Sequence, residues 1–194
     1  MWSAAILAGG RARRFGGRDK SALIVDGKSI LEHQMALLTA LTDDVMIVGA
    51  RSAPRAARLV ADKVPGCGPL GGLHAALAEA RGRATIVVAC DMPYLSAPFL
   101  AHLLALTDEA DAVVPRTDRG YHPLCAAYTP ACLAPAAARL AEGRMTMVDL
   151  FEDVRVRAVT TVEIARFGNS DRLLTNVNTP AEYGGLEAFH GHQL

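Results

Sequence analysis

Short, uninterrupted apolar runs alternate with amphipathic stretches along most of this chain. Ala4 to Ala8 opens the series as a buried strand, and a shorter run, Ala22 to Val25, stops at the turn pair Asp26-Gly27. Ser29 and Glu32 form a capping-box pattern ahead of Ile30, Leu31, Leu37, Leu38 and Leu41, so the spacing predicts a helix from about Ser29 to Leu41. Val45 to Val48 reads as a second buried strand and Leu59 to Ala61 as a third. Pro69, followed by Leu70, Leu73 and Leu77 on one face, predicts the first turn of another helix. Ala84 to Cys90 is the most strand-like segment and is ended by Asp91-Met92-Pro93; Ser96, Phe99, Leu100, Leu103 and Leu104 then give an amphipathic helix.

After a short strand at Ala112 to Val114 the alternation changes. Arg116 to Gly120 reads as a polar turn, and His122-Pro123-Leu124 leads into a strand ending at Tyr128, which suggests an antiparallel excursion. Cys132 to Glu142 predicts an alanine-rich helix whose firm part follows Pro135; Arg155 to Thr161 reads as an outer strand, and Ala181 to Phe189 as a last helix. Strands alternating with helices in this way predict a mainly parallel sheet covered on both faces, a three-layer α/β/α sandwich.

Composition adds limits. At 194 residues, with 51% hydrophobic and 21% charged residues, the chain suits one sizeable core, so 1–194 is expected to be a single domain. Twenty basic residues balance twenty acidic ones, which gives no general attraction to nucleic acid or to a membrane surface. Trp2 to Ala8 is too short for a secretory segment and its basic cluster follows it instead of preceding it; no run is long enough to span a bilayer. The four cysteines, Cys67, Cys90, Cys125 and Cys132, form no C-x-x-C pair and read as reduced, structural thiols of a cytoplasmic protein, with Cys67 expected to be accessible in its glycine loop.

The chemistry is concentrated where apolar runs end. Leu7-Ala8 empties into Gly9-Gly10-Arg11-Ala12-Arg13-Arg14-Phe15-Gly16-Gly17-Arg18-Asp19-Lys20, a glycine-rich stretch with four arginines and a lysine. Glycine lets a phosphate approach backbone N–H groups while the cations neutralise it, so the stretch reads as a phosphate cradle. It is neither of two familiar loops: Asp19 precedes Lys20-Ser21 where a Walker A loop needs Gly, and G-x-G-x-x-G cannot be placed on these glycines. Gly66 to Gly72 is a second glycine loop, either an ordinary helix start or an anion site at a helix N-terminus. Asp91, just past a central strand, lies where open α/β sheets bind ligands and is the leading magnesium ligand; the same Asp before Pro also serves as a turn starter. His122 reads equally as a structural histidine and as a binding one. Asn176 and Asn178 suit the orientation of phosphates or metal-bound water, while Asn178-Thr179-Pro180 alone is a good helix cap.

As it stands, L-A-G-G-x-x-x-R-x-G-G-x-D-K resembles the signature of nucleotidyltransferases that make nucleotide-sugar-like diphosphates, and is most similar to that of the molybdenum cofactor guanylyltransferases, the MobA family. G-P-L-G-G, D-M-P, H-P and N-V-N-T-P follow in family order, so the resemblance covers nearly the whole chain. It implies a Rossmann-like nucleotidyltransferase fold and Mg²⁺-dependent transfer of GMP from GTP to molybdopterin carrying molybdenum, with release of pyrophosphate. It further implies Arg14, Lys20, Asp91, Asn176 and Asn178 as catalytic residues and Asp91 as the metal ligand. Leu7, Ala8, Gly9, Gly10, Lys20, Asp62, Gly68 and Asp91 would contact the nucleotide. Cofactor-delivery proteins are further partners that the resemblance suggests. Two departures bear on this: Gly49 stands where relatives often carry a guanine-side Asn, leaving a backbone or water contact to serve, and Met145 stands where they commonly carry a cation. Gly10 replaces the Ala of cytidylyl relatives, which favours the larger purine. A cytidylyltransferase or another small transferase is the alternative within the class, and a non-catalytic pterin or nucleotide carrier the alternative outside it; Asp91 together with Lys20 favours catalysis.

Overall fold

In the computed structural model, which describes residues 1–8, 23–61 and 66–177, Ser3–Leu7 forms strand β1. Ile24–Val25 (β2) and Lys28–Ser29 (β3) pair through a tight turn at Asp26-Gly27. Helix α1, Ile30–Thr39, begins with the capping box read from the sequence: the Glu32 N–H donates to Ser29 Oγ at 3.2 Å, and the Ser29 N–H donates to the Glu32 carboxylate at 2.7 Å. Strands β4 (Val45–Val48) and β5 (Arg58–Val60) precede α2 (Gly68–Glu79), and β6 (Thr85–Ala89) precedes α3 (Ala97–Ala105), capped by Ser96. Then come β7 (Ala112–Thr117), β8 (Gly120–Tyr121), β9 (Cys125–Tyr128), α4 (Leu133–Ala141), β10 (Val156–Thr160), α5 (Thr161–Ile164) and α6 (Ser170–Leu173).

The sheet runs β10-β7-β9-β6-β1-β4-β5, with β8 paired to β7. β6, β1, β4 and β5 are mutually parallel, and β10 is parallel to β7; β9 lies antiparallel between β6 and β7. Alternate side chains feed the two faces, as the strand period requires. Ala4, Ile6, Ile86 and Val88 pack on one side with Met35 and Leu38 of α1 and Phe99 to Leu104 of α3, while Ala5, Met46, Val48 and Val87 pack on the other with Leu70, Leu73 and Leu77 of α2 and Ala136 of α4. This is the expected three-layer arrangement, and Rossmann-like in its parallel half.

Three local expectations change. The polar turn shrinks to two residues, because β7 continues to Thr117 and β8 begins at Gly120. Pro115 is tolerated inside β7 because the ladder to β9 uses only Ala112 and Val113, leaving no missing donor there. Pro135 falls within the first turn of α4, where its absent N–H has no helical partner to lose, so the helix begins two residues before it. Cys67 is buried at the start of α2, only 6% exposed, and its carbonyl accepts from the Gly71 N–H. Burial pushes the Cys125 and Cys132 thiols up to about 12, which suits their structural reading. The proposed helix at 181–189 lies outside the described residues.

The edge of the sheet formed by the strand N-termini is locked. Asp44 accepts from Ser3 Oγ at 2.6 Å, from Arg58 Nη2 at 2.7 Å and from the Arg81 N–H at 3.0 Å. Burial disfavours the charge, but these hydrogen bonds prevail and hold the Asp44 carboxyl below its ordinary range. Gly82 presses on β1 so closely that a Cβ there would sit 2.4 Å from the Trp2 carbonyl carbon, which only glycine avoids. At this edge Met1, Trp2, Leu41, Thr42, Asp43 and Arg83 line a cavity of about 330 Å³. Among the described residues no helix is long and apolar enough to cross a membrane.

Candidate functional site

Parallel strands deliver their C-terminal ends to one edge, where the following loops meet. Leu7 and Ala8 are strapped on both sides as β1 leaves the sheet: the Ala8 N–H donates to the Val48 carbonyl at 2.9 Å, and the Cys90 N–H donates to the Leu7 carbonyl at 3.2 Å. The glycine-rich segment therefore departs directly beside the residue that precedes Asp91. α2 is seated close by, since a Cβ on Gly72 would lie 3.3 Å from the Leu7 methyls. Gly68 opens α2 at a φ of 61°, and among the described residues no heavy atom beyond its own neighbours and helix lies within 4 Å of the place a Cβ would take. That conformation favours glycine.

Asp91 follows β6 and is 9% exposed. Asn176, 85 residues away in sequence, donates from Nδ2 to Asp91 Oδ1 at 2.8 Å, and the neighbouring Val177 N–H donates to the Asp91 carbonyl at 2.9 Å. The structure thus joins two residues singled out separately in the sequence.

A further residue, which the motifs did not indicate, supports this turn. Gln34 of α1 is 1% exposed, and its Nε2 donates to the Ala89 carbonyl at 2.8 Å and to the Met92 carbonyl at 3.0 Å. The only sequence signal for it is a polar residue on the apolar stripe of α1, four positions from both Ile30 and Leu38.

Other expectations fare differently. His122 pairs through Nε2 with Thr117 Oγ1 at 2.9 Å; burial, reinforced by Arg119 and opposed by Asp171, pushes its pKa down. The lowered pKa favours the uncharged ring, which suits the structural and the binding reading alike. The Gly49 N–H is spent on the Val60 carbonyl at 3.0 Å, so of its backbone groups the N–H is not the one left to replace an Asn contact. Met145 is exposed, and neighbouring Arg144 pairs with Glu152 at 3.4 Å. Gly9, Gly10, Arg14, Lys20, Asp62 and Asn178 lie outside the described residues.

The donor set at Asp91 fits a hard divalent cation in one specific sense. Among the described residues no three His, Cys, Asp or Glu side chains group to enclose an ion. A single carboxylate oriented by an amide, past the C-terminal end of β6, instead suits a cation that draws most of its ligands from phosphate oxygens and water, as Mg²⁺ does.

Residues 4–157 match the family described as the MobA-like NTP transferase domain. A molybdenum cofactor guanylyltransferase of Desulfosudis oleivorans is 31% identical over 94% of this chain and 93% of its own. Another, from Pseudomonas syringae pv. tomato, is 32% identical over 93% and 90%. In fold, the chain is similar to molybdopterin-guanine dinucleotide biosynthesis protein A of Archaeoglobus fulgidus, with a TM-score of 0.83, 24% identity and coverage of 98% and 99%. The 2-C-methyl-D-erythritol 4-phosphate cytidylyltransferase of Thermus thermophilus gives 0.69 at 15% identity, over 96% and 98%.

Proposed function

The chain belongs to the MobA-like NTP transferase family, and on that premise we propose that it is a molybdenum cofactor guanylyltransferase. It transfers GMP from GTP to the terminal phosphate of molybdopterin carrying molybdenum, giving the guanine dinucleotide cofactor and pyrophosphate. The observation that carries this reading is the Asp91–Asn176 pair, held at the ligand-binding edge of the sheet beside the exit of Leu7-Ala8.

An acceptor phosphate oxygen is already an anionic nucleophile, so no covalent intermediate on the protein is needed. The new bond forms between that oxygen and the α-phosphorus, and the bond from the α-phosphorus to the bridging oxygen breaks, its electron pair leaving with pyrophosphate. What the protein must supply is alignment and charge neutralisation. In this reading Lys20 and Arg14 meet the triphosphate, N–H groups of Gly9, Gly10 and Gly68 contact its oxygens, and Leu7, Ala8 and Asp62 line the nucleoside side. Asn176 keeps the Asp91 carboxylate in place, and Asn178 contributes a neutral contact near it. Asp91 would hold Mg²⁺, whose chemistry when bound is to neutralise phosphate charge at the reacting centre. GTP and molybdopterin are the substrates, with a delivery protein as the natural donor of a labile pterin. The whole of 1–194 would act as one domain, in the cytoplasm where the GTP pool lies.

A panel of nucleotides against acceptors tests the proposal. Pyrophosphate release should require both the molybdenum cofactor and a nucleotide, with kcat/KM higher for GTP than for CTP. Equal values or a preference for CTP would reject the guanylyltransferase reading, a preference for CTP in favour of the cytidylyltransferase alternative, and nucleotide binding without pyrophosphate would turn it into the carrier.

A further inference from the structure

We infer that Gln34 is a positioning residue for the Asp91 carboxylate, an inference that rests on the metal role proposed above. One amide nitrogen uses both of its hydrogens on main-chain carbonyls that flank Asp91, Ala89 two residues before it and Met92 one residue after. The two bonds tie the end of β6 to the far side of the turn and so fix the backbone from which the carboxylate projects. Asn176 and Val177 hold the same residue from the segment after α6, by its carboxylate and by its carbonyl. Gln34 therefore completes a clamp: α1 fixes the main chain around Asp91, and the C-terminal segment fixes its side chain.

The way Gln34 is satisfied argues against a role in packing alone. Its Oε1 is buried without a partner among the described residues, while its Nε2 makes two bonds. A buried acceptor left unmatched costs stability, and an unbranched apolar residue would fill the same stripe between Ile30 and Leu38 without that cost. The gain that offsets the cost lies on the nitrogen side, in the turn that carries Asp91. Partners that orient a metal-binding side chain without touching the metal change affinity or activity by about 10-fold to 100-fold when removed.

Gln34→Met keeps the length and removes both donors; Gln34→His keeps one ring N–H at similar reach. Binding of Mn²⁺ to the full chain with GTP present, followed by electron paramagnetic resonance of the free ion, reads the site without turnover. Gln34→Met is expected to bind Mn²⁺ about 10-fold or more weakly, with kcat falling in parallel and the KM for GTP nearly unchanged, and Gln34→His should fall between it and wild type. Should Gln34→Met fail to fold, Gln34→His decides alone. Wild-type Mn²⁺ affinity in whichever variant folds overturns the inference, and so does a lowered melting temperature with no change in Mn²⁺ affinity. Asp91→Asn serves as the control: if it binds Mn²⁺ as wild type does, the metal assignment falls, whereas if only the Gln34 variants match wild type, the metal assignment stands and the Gln34 inference fails.

Discussion

Asn176→Ala removes a side chain that donates to the Asp91 carboxylate across 2.8 Å. A hydrogen bond to a charged acceptor is worth about 1.5 to 3 kcal/mol, and at about 1.4 kcal/mol per decade its loss is about a tenfold to a hundredfold effect. The loss should fall on turnover and not on the fold. The segment stays docked through the Val177 N–H, which donates to the Asp91 carbonyl at 2.9 Å and does not depend on the side chain at 176. Pyrophosphate release from GTP with the molybdenum cofactor as acceptor gives kcat/KM, and repeating it across a Mg²⁺ titration shows whether half-saturation moves to higher metal. The expected variant melts close to wild type, turns over about tenfold to a hundredfold more slowly and needs more Mg²⁺. A folded Asn176→Ala protein with wild-type kcat/KM and an unchanged metal dependence would refute the reasoning, since it would mean that Asp91 is oriented well enough without its amide partner.

Lys20→Ala should lower turnover by about tenfold to a hundredfold, the cost of one charge-assisted phosphate contact, while the melting temperature holds; unchanged kinetics would remove Lys20 from the phosphate cradle. Asp91→Asn keeps the shape but loses the charge a hard cation needs, so Mg²⁺-dependent activity should vanish while metal-free nucleotide binding, measured by calorimetry, suffers less. Asp44→Asn tests the lock at the opposite edge. Because the folded carboxyl titrates below its unfolded value, its stabilisation is present above the ordinary aspartate range near pH 4 and is lost as pH falls through the lower, folded value. At pH 7 the variant should therefore lose about 1.5 to 3 kcal/mol, or roughly 5 to 10 °C in melting temperature, and the gap to wild type should close in acid. A gap that is the same at pH 7 and pH 3 would show that the effect is steric and not one of charge.

Much of this site was readable in one dimension because its parts sit at the ends of strongly patterned elements. Asp91 was placed by an apolar strand that stops abruptly, α1 by the reciprocal Ser29 and Glu32 bonds, and α2 by Pro69 and its leucines. The pairing of Asp91 with Asn176 was not readable, since contact between residues 85 apart is created by topology and leaves no trace in spacing. Gln34 was hidden for the opposite reason: a polar residue on an apolar stripe lowers the amphipathic signal that draws attention to a helix. The excursion around Tyr128 was visible as a break in alternation, but not the insertion of β9 between β6 and β7. That depends on which edge is open when the chain returns.

That insertion bears on how the chain emerges from the ribosome. By the time Thr85–Ala89 has been made, β1, β4 and β5 are already available, and β6 can join them in a parallel, helix-covered half-sheet. The outer side of β6, however, awaits Cys125–Tyr128, and α3 and β7 must be synthesised before β9 arrives to take it. Through that interval the nascent protein carries an apolar, unpaired strand edge, the kind of template on which two growing chains on one messenger can pair with each other. A chain truncated between α3 and β9 would keep that edge permanently, and so would be expected to precipitate even though β1, β4 and β5 have their proper neighbours.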